Sequence, residues 1–252
     1  MEKYISARAL GTGRSAIREI LKLTARPDVI SFAGGLPDAE TFPRDELAKI
    51  AADEIKNDYK NVLQYGLTEG SHMLRNAIVD WRPYGLELGI ERILITTASQ
   101  QGLDLLCKAF IDPGDVVFCG LPTYLGAIQT FTLFQADKIG IPLQDDGMDL
   151  DVLEGRIAEE QAVGKRLKAI YIIPEFQNPA GITMSLEKRE RLLRIAEDAD
   201  LLIWEDDPYS KLRFTGEPLP PIKTLDRDGR VILLATFSKL LSAGLRLAFM
   251  VA

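Results

Sequence analysis

The chain has 252 residues, of which 46% are hydrophobic, and it carries a formal net charge of −7. A chain of this length can bury a sizeable core as one large domain, and its acidic balance argues against a nucleic-acid-binding surface. His72 is the only histidine, which argues against both a serine–histidine–aspartate hydrolase and a histidine-rich metal site. We therefore expect small-molecule ligands, no bound metal and no nucleic-acid partner.

The sequence also predicts where in the cell the protein is located. No apolar run approaches the length that crosses a bilayer, and the first residues lack the basic and apolar segments of a secretion signal. The two cysteines, Cys107 and Cys119, lie within apolar runs, which is typical of reduced thiols in a protein core. The expected location is the cytoplasm, with no membrane partner.

The first ninety residues predict an arm followed by helices. Residues 1–30 are expected to form the arm, in which Ser15 can cap a short helix. Residues 43–55 predict an amphipathic helix. Its expected inward face carries Leu47, Ile50, Ala51 and Ile55. A further helix is predicted over residues 71–81, after a turn-rich loop.

From residue 91 onward, predicted strands and helices alternate. The predicted strands are residues 92–96, 116–119, 138–141, 167–173, 201–204, 231–235 and 247–251. The predicted helices between them are residues 98–110, 123–134 and 149–163, with one more that begins at a cap by Ser185. Strands that are apolar on both faces indicate an α/β fold, with three α/β/α layers around a mainly parallel mixed sheet. Ligands of such sheets bind beyond the carboxyl ends of the strands.

Three polar segments follow predicted strands and are candidates for one site. Thr97-Ala98-Ser99-Gln100 opens a helix, where unpaired N–H groups and the helix dipole favour a phosphate. Tyr124 could stack on a heteroaromatic ring, or it could be a core or rim aromatic. Asn178, in Gln177-Asn178-Pro179, could donate to a phenolate oxygen, or the segment could be an ordinary turn.

Three acidic residues, Glu205-Asp206-Asp207, follow the strand predicted over residues 201–204. Carboxylates this close repel one another, so they suggest a cationic partner, although a solvated acidic loop is the alternative. Alternation along a strand sends Asp206 to the opposite face from its two neighbours. We select Asp206 as the partner of a protonated pyridine nitrogen.

The segment from Thr236 to Arg246 combines a lysine with phosphate-binding groups. Lys239 can condense with an aldehyde to form a Schiff base. Thr236, Ser238 and Arg246 supply the hydroxyl and guanidinium donors that a phosphate monoester requires. An aldehyde and a phosphate together describe pyridoxal 5′-phosphate (PLP). The alternative is that Lys239 is one solvated lysine among many.

Seven motifs in register give the chain a family resemblance. In chain order they are Phe32-Ala33-Gly34-Gly35-Leu36-Pro37-Asp38, Tyr65-Gly66, Thr97-Ala98-Ser99-Gln100-Gln101, Pro122-Thr123-Tyr124, Gln177-Asn178-Pro179, Asp206-Asp207-Pro208-Tyr209, and Ser238-Lys239 with Gly244-Leu245-Arg246. From about residue 15 to its end, the chain resembles the fold-type I PLP-dependent aminotransferases. It is most similar to the 2-aminoadipate, aromatic and branched-chain enzymes of class I/II.

The resemblance implies a role for each matching residue. Lys239 would hold PLP as the internal aldimine and then move the substrate α-proton as a base. Asp206 would pair with the pyridine nitrogen, Asn178 and Tyr209 would bind the phenolic oxygen, and Tyr124 would stack on the ring. The phosphate would be held by Ser99, Gln100, Thr236, Ser238 and Arg246. Tyr65 would reach the phosphate of the other subunit, which implies a homodimer, and Gly35 would lie near the substrate carboxylate.

The implied activity is ping-pong transfer of an amino group from an amino acid to a 2-oxo acid. A PLP-dependent lyase or decarboxylase and a PLP-binding regulatory module without catalysis are the alternatives on the same fold. Ala98 stands where these aminotransferases usually have glycine. They also continue into a smaller C-terminal domain, whereas this chain stops six residues after Arg246. Residues 31–252 would therefore be the PLP-binding large domain, without the small domain.

Overall fold

A computed structural model describes residues 2–11, 28–30 and 35–252. The short helix predicted at Ser15 and the Phe32-Ala33-Gly34 part of the first motif lie outside these residues. No helix in the described ranges is long and apolar enough to cross a membrane.

The centre of the fold is one eight-stranded sheet. Its strands are β1 (Ile93–Thr96), β2 (Val116–Leu121), β3 (Asp137–Gln144), β4 (Gly147–Met148), β5 (Leu167–Ile172), β6 (Leu202–Asp207), β7 (Val231–Thr236) and β8 (Ala248–Val251). They lie in the order β1-β8-β7-β6-β5-β2-β3-β4. The strands from β3 to β7 in this order pair in parallel, whereas β8 is antiparallel to both of its neighbours and β4 is antiparallel to β3. The mainly parallel mixed sheet predicted from the sequence is confirmed, and only β4 was not predicted.

Helices cover both faces of the sheet. In the described part of the chain they are α1 (Ala7–Leu10), α2 (Arg44–Asn57), α3 (Tyr59–Val62), α4 (His72–Trp81), α5 (Ala98–Phe110), α6 (Leu125–Leu133), α7 (Leu150–Ala162), α8 (Leu186–Asp198) and α9 (Ile222–Leu225). Helices α5 and α6 pack on one face, and α7, α8 and α9 pack on the other face together with α4 near β1. These layers confirm the predicted α/β/α arrangement.

Alternation along the strands divides the core into two halves. In β2, Val117 and Cys119 join the cluster under α5 and α6, whereas Val116 and Phe118 join the cluster under α7 and α8. Successive side chains of a strand point to opposite faces, so a strand covered on both sides must be apolar throughout. The continuous apolar runs in the sequence reflect this requirement.

The prediction that the apolar face of α2 packs inward was wrong. Helix α2 contains no buried residue, and Ile50 and Ile55 are 57% and 50% exposed. The period of apolar residues correctly predicted a helix, but periodicity does not specify what covers the apolar face. Within the described residues, no element buries this face.

The extent of β6 also differs from the prediction. The strand runs through Glu205, Asp206 and Asp207 instead of ending before them, and all three side chains are buried. The alternative of a solvated acidic loop is therefore wrong. Their burial means that each carboxylate needs its own hydrogen-bond donors or a cationic partner.

Candidate active site

The carboxyl ends of β1, β6 and β7 meet at one edge of the sheet. Thr96 and Thr236, the last residues of β1 and β7, both pair with Ala248, and Asp207 at the end of β6 pairs with Ala235. The polar segments that follow these strands therefore start side by side, as the sequence predicted from the general position of ligands in such sheets.

The segment after β7 places Lys239 over this edge. Ser238–Ser242 forms a π-helical turn, and the Thr236 hydroxyl donates to the Ser238 Oγ at 2.9 Å. The Lys239 ammonium donates to the Gly35 carbonyl oxygen at 3.0 Å, so the structure brings these two residues together. Burial lowers the pKa of Lys239, which increases the fraction of free amine.

The N-terminus of α5 follows the end of β1 at the same edge of the sheet. Ala98 begins the helix in the left-handed region, with φ of +62°. Ser99 and Gln100 lie in the first turn, where backbone N–H groups have no partner within the helix and can bind an anion. The Gln100 side chain is directed toward α6, because its amide donates to the Thr130 Oγ1 at 2.7 Å.

Asp206 forms the floor of the site and is only 3% exposed. Its Oδ2 accepts a hydrogen bond from the Tyr171 hydroxyl at 2.8 Å, whereas its Oδ1 is buried without a partner among the described residues. Burial raises the pKa of Asp206 from its ordinary value of 3.8 to about 7, against the lowering effect of the Tyr171 hydrogen bond. An unpartnered oxygen of a buried carboxylate is a place where a cationic N–H donor would be strongly bound.

The two other acidic residues of β6 face away from this floor. Glu205 accepts hydrogen bonds from the backbone N–H groups of Ile222 and Lys223, at 2.8 Å each. Asp207 accepts from the backbone N–H of Ser210 at 2.9 Å. The predicted alternation is therefore observed, and Asp206 is the acid of this group that lies on the α5–α6 face.

Asn178 and Tyr209 meet beside the floor. The Asn178 amide donates to the Tyr209 hydroxyl oxygen at 3.3 Å. Burial raises the pKa of Tyr209, and the negative charge of Asp206 adds to this effect, which places Tyr209 within electrostatic range of Asp206. The two side chains assigned to a common oxygen of the cofactor are thus in contact.

Tyr124 connects these groups with α5. Its hydroxyl donates to the Gln100 Oε1 at 3.4 Å, and burial raises its pKa. Asp206 also raises the pKa of Tyr124 and the cationic Arg246 lowers it, so both charges lie within electrostatic range of the Tyr124 hydroxyl. The ring lies against Gly126, where a Cβ atom would come within 2.4 Å of the Tyr124 Cζ. Glycine at position 126 therefore leaves the space that the Tyr124 ring occupies.

Two predicted residues make no hydrogen bond to the other site residues in the described structure. Tyr65 is 99% exposed, and its backbone N–H donates to the Gln64 Oε1 at 2.9 Å. Arg246 is exposed and adopts a left-handed conformation with φ of +50°. Its guanidinium donates to the Ala243 carbonyl oxygen at 3.4 Å and lies close enough to Tyr124 to lower the pKa of that hydroxyl.

Tyr171 was not predicted from the sequence. It is fully buried near the end of β5 and is the residue that donates to Asp206. One available signal was a hydroxyl in the otherwise apolar run at the end of this strand, because a buried hydroxyl needs a partner. The described residues contain no cluster of three or more histidine, cysteine, aspartate or glutamate side chains that could hold a metal ion.

Comparison with known proteins identifies relatives of the whole chain. The chain is 46% identical to aromatic-amino-acid aminotransferase 1 of Thermococcus litoralis, over all of this chain and 61% of the relative. It is 44% identical to the 2-aminoadipate transaminase of Thermus thermophilus, over 96% of this chain and 60% of the relative. Among solved structures, the kynurenine aminotransferase of Pyrococcus horikoshii in complex with PMP superposes with a TM-score of 0.92. That comparison has 43% identity and covers 99% of this chain and 62% of the other.

The chain thus spans about 60% of the length of these relatives. The family model described as aminotransferase class I and II matches residues 27–252, which include every site residue discussed above. The fold of the sheet, the edge at which the polar segments meet and the extent of this match lead to one conclusion: the chain belongs to the class I and II aminotransferase family.

Proposed function

We propose that the protein is a PLP-dependent aminotransferase that transfers an amino group from an amino acid to a 2-oxo acid. The observation that carries this proposal is the buried Asp206, whose Oδ1 has no partner in the described structure and which lies at the same sheet edge as Lys239. The family and the relatives named above support it. When bound, PLP supplies an aldehyde and an electron-withdrawing ring that stabilises negative charge on a substrate carbon.

The donors and acceptors of the site fit this cofactor. Asp206 Oδ1 would accept from the protonated ring nitrogen, which removes the cost of an unpartnered buried carboxylate. Asn178 and Tyr209, already in contact, would donate to the phenolic oxygen. Tyr124 would stack on the ring, with its hydroxyl anchored on Gln100.

The phosphate group would lie at the N-terminus of α5, next to the turn that follows β7. Ser99 and Gln100 would offer backbone N–H groups, since the Gln100 amide is engaged with Thr130. Thr236 and Ser238 would offer hydroxyl groups, which at present bond to each other. Arg246 would exchange the Ala243 carbonyl for the phosphate and so complete this set of donors.

Lys239 would be both the attachment point of the cofactor and the base of the reaction. Its amine attacks an aldehyde only when it is unprotonated, and burial favours that form. As a base, the same amine would take up the proton of the substrate α-carbon. Gly35, whose carbonyl accepts from the Lys239 ammonium, would lie beside the substrate carboxylate.

The remaining proposals concern organisation and location. Tyr65, fully exposed in one chain, would reach the phosphate of a second subunit in a homodimer. Residues 1–30 would form an arm and residues 31–252 the cofactor-binding large domain. The buried thiols of Cys107 and Cys119, whose pKa values burial raises to about 12 and about 11, suit the reducing cytoplasm.

A single-turnover experiment tests the activity. Protein loaded with PLP is mixed with one amino acid and no acceptor, and the released 2-oxo acid is measured. An aminotransferase releases one equivalent per site and then stops until a 2-oxo acid is added. Lys239→Ala should release none, because the base is lost.

Each alternative class of protein would give a different result. A lyase or decarboxylase would go on forming product without an acceptor, because it regenerates its starting form. A regulatory module would bind PLP and release nothing. Either result would overturn the proposed activity.

A further inference from the structure

The hydroxyl of Tyr171 has a position that packing alone does not require. The Tyr171 ring is fully buried and packs edge to face on Phe131, with ring centroids 5.5 Å apart. A phenylalanine would make the same ring contacts without bringing a polar group into the core. The role of the hydroxyl therefore lies in the hydrogen bond that it donates to the Oδ2 of Asp206.

The hydrogen bond makes the two oxygens of Asp206 unequal. Oδ2 receives the Tyr171 hydroxyl at 2.8 Å, whereas Oδ1 is equally buried and has no partner in the described part of the chain. A carboxylate held by one oxygen cannot rotate freely about its Cβ–Cγ bond, so the other oxygen keeps a fixed direction. A ring nitrogen that binds in that direction meets an oriented acceptor.

The bond also opposes the effect of burial on charge. Tyr124, Tyr209 and Cys119 lie within electrostatic range of this pair, as does Asp207 on the opposite face of β6. No cation contacts Asp206 among the described residues, and the hydrogen bond from the Tyr171 hydroxyl favours its ionised form. Only an ionised Asp206 can form a charge-assisted hydrogen bond with a protonated ring nitrogen.

We propose that Tyr171 is a positioning residue that acts through Asp206, directing Oδ1 toward the cofactor ring nitrogen. This inference rests on the proposed function, since it requires that Asp206 binds that nitrogen. Tyr171 itself does not touch the cofactor in this arrangement. Its contribution should therefore be visible only when the ligand carries a ring nitrogen.

A pair of ligands isolates this contribution. Pyridoxamine 5′-phosphate binds without a covalent bond to Lys239, and its 1-deaza analogue replaces the ring nitrogen with a C–H group. Affinities of the full chain for both are measured by calorimetry, for the wild type, Tyr171→Phe and the control Tyr84→Phe. Tyr84 has a hydroxyl that bonds to Asp207, on the other face of β6, and is therefore matched in chemistry but not in place.

The expected result is a selective loss. Tyr171→Phe should bind pyridoxamine 5′-phosphate about tenfold to a hundredfold more weakly, because it weakens the bond between Asp206 and the ring nitrogen. This range is that of a hydrogen bond to a charged group. Its affinity for the deaza analogue should stay within about threefold of the wild type. Tyr84→Phe should leave the ratio of the two affinities unchanged. In an Asp206→Asn background, Tyr171→Phe should have no further effect on the ratio.

The outcomes separate this inference from the proposed function. If the wild type prefers pyridoxamine 5′-phosphate and Tyr171→Phe keeps the same preference, or loses affinity for both ligands equally, only the role of Tyr171 is overturned. If the wild type shows no preference, the pairing of Asp206 with the ring nitrogen is wrong and both proposals fall.

A second measurement does not depend on the folding of a variant. In crystals of the wild-type chain with pyridoxamine 5′-phosphate, the ring nitrogen should lie within about 3.2 Å of Oδ1 while Tyr171 still donates to Oδ2. A ring nitrogen on Oδ2, with the tyrosine displaced, would overturn the inference.

Discussion

Asp206→Asn should stabilise the cofactor-free protein at alkaline pH while it weakens cofactor binding. The asparagine keeps a carbonyl oxygen for the Tyr171 hydroxyl and places a neutral NH₂ group where the unpartnered Oδ1 now lies. The substitution therefore removes a buried charge with little change in shape.

The magnitude follows from the pKa of Asp206, which is about 7 in the folded protein against an ordinary value of 3.8. Because the folded state holds its proton to higher pH than the unfolded chain, stability falls as pH rises from about 4 to about 7 and is constant above that range. The difference between the two pKa values corresponds to roughly 4 kcal/mol, of which roughly 3 kcal/mol falls between pH 5 and pH 8. Asp206→Asn should avoid this loss.

The assay is urea unfolding of the cofactor-free chain at pH 5 and pH 8, for the wild type, Asp206→Asn and the control Asp145→Asn. Asp145 lies in the exposed turn between β3 and β4. The variant keeps the similar contribution of Glu205, whose burial also raises its pKa to about 7. Its decrease in unfolding free energy between the two pH values should therefore be about 3 kcal/mol smaller than that of the wild type.

The control should follow the wild type at both pH values. If Asp206→Asn also follows the wild type, Asp206 does not carry an elevated pKa, and the account of it as a desolvated acceptor fails. A variant that is less stable than the wild type at pH 8 would contradict the account in the same way.

Three further substitutions test other parts of the site and its support. Ala98→Gly should raise the free energy of unfolding by about 1 kcal/mol, since a Cβ at φ of +62° is strained; a denaturant midpoint at or below that of the wild type would contradict this. Gly126→Ala should displace the Tyr124 ring and reduce affinity for pyridoxamine 5′-phosphate about tenfold. The control Gly155→Ala should leave the affinity unchanged, because a Cβ atom at position 155 meets no other atom. Equal effects of the two substitutions would refute the role of the contact between Gly126 and Tyr124. Arg189→Met should lower the free energy of unfolding by about 3–5 kcal/mol. It removes the buried guanidinium that donates to Glu175 and to the carbonyl oxygens of Pro174, Met184 and Pro220, while Arg213 still pairs with Glu175. A loss below about 1 kcal/mol would be inconsistent with these bonds.

Patterns within single elements predicted the fold well. The helix expected over residues 98–110 is α5, and Ser185 caps α8 by accepting from the Lys188 N–H at 3.3 Å. Both follow from local periodicity and local hydrogen bonding. The insertion of β8 between β1 and β7, antiparallel to both, was not predictable in this way because it depends on pairing between distant segments.

The candidate site likewise combines features that local patterns predicted with features that depend on distant segments. The face on which Asp206 lies could be predicted, because alternation along a strand is a local rule. The bond from Tyr171 to Asp206, the turn of Gln100 toward Thr130 and the exposure of Ile50 could not be predicted. Each depends on which segments the fold places side by side, and the sequence pattern of one element does not contain that information.

The central claim is that Lys239 and Asp206 define the two ends of one cofactor site. The most direct measurement is borohydride reduction of the PLP-loaded chain, followed by peptide mapping of the phosphopyridoxyl group. We expect the group on Lys239, with none on that segment in Lys239→Ala. A phosphopyridoxyl group found mainly on another lysine of the wild-type chain would contradict the account.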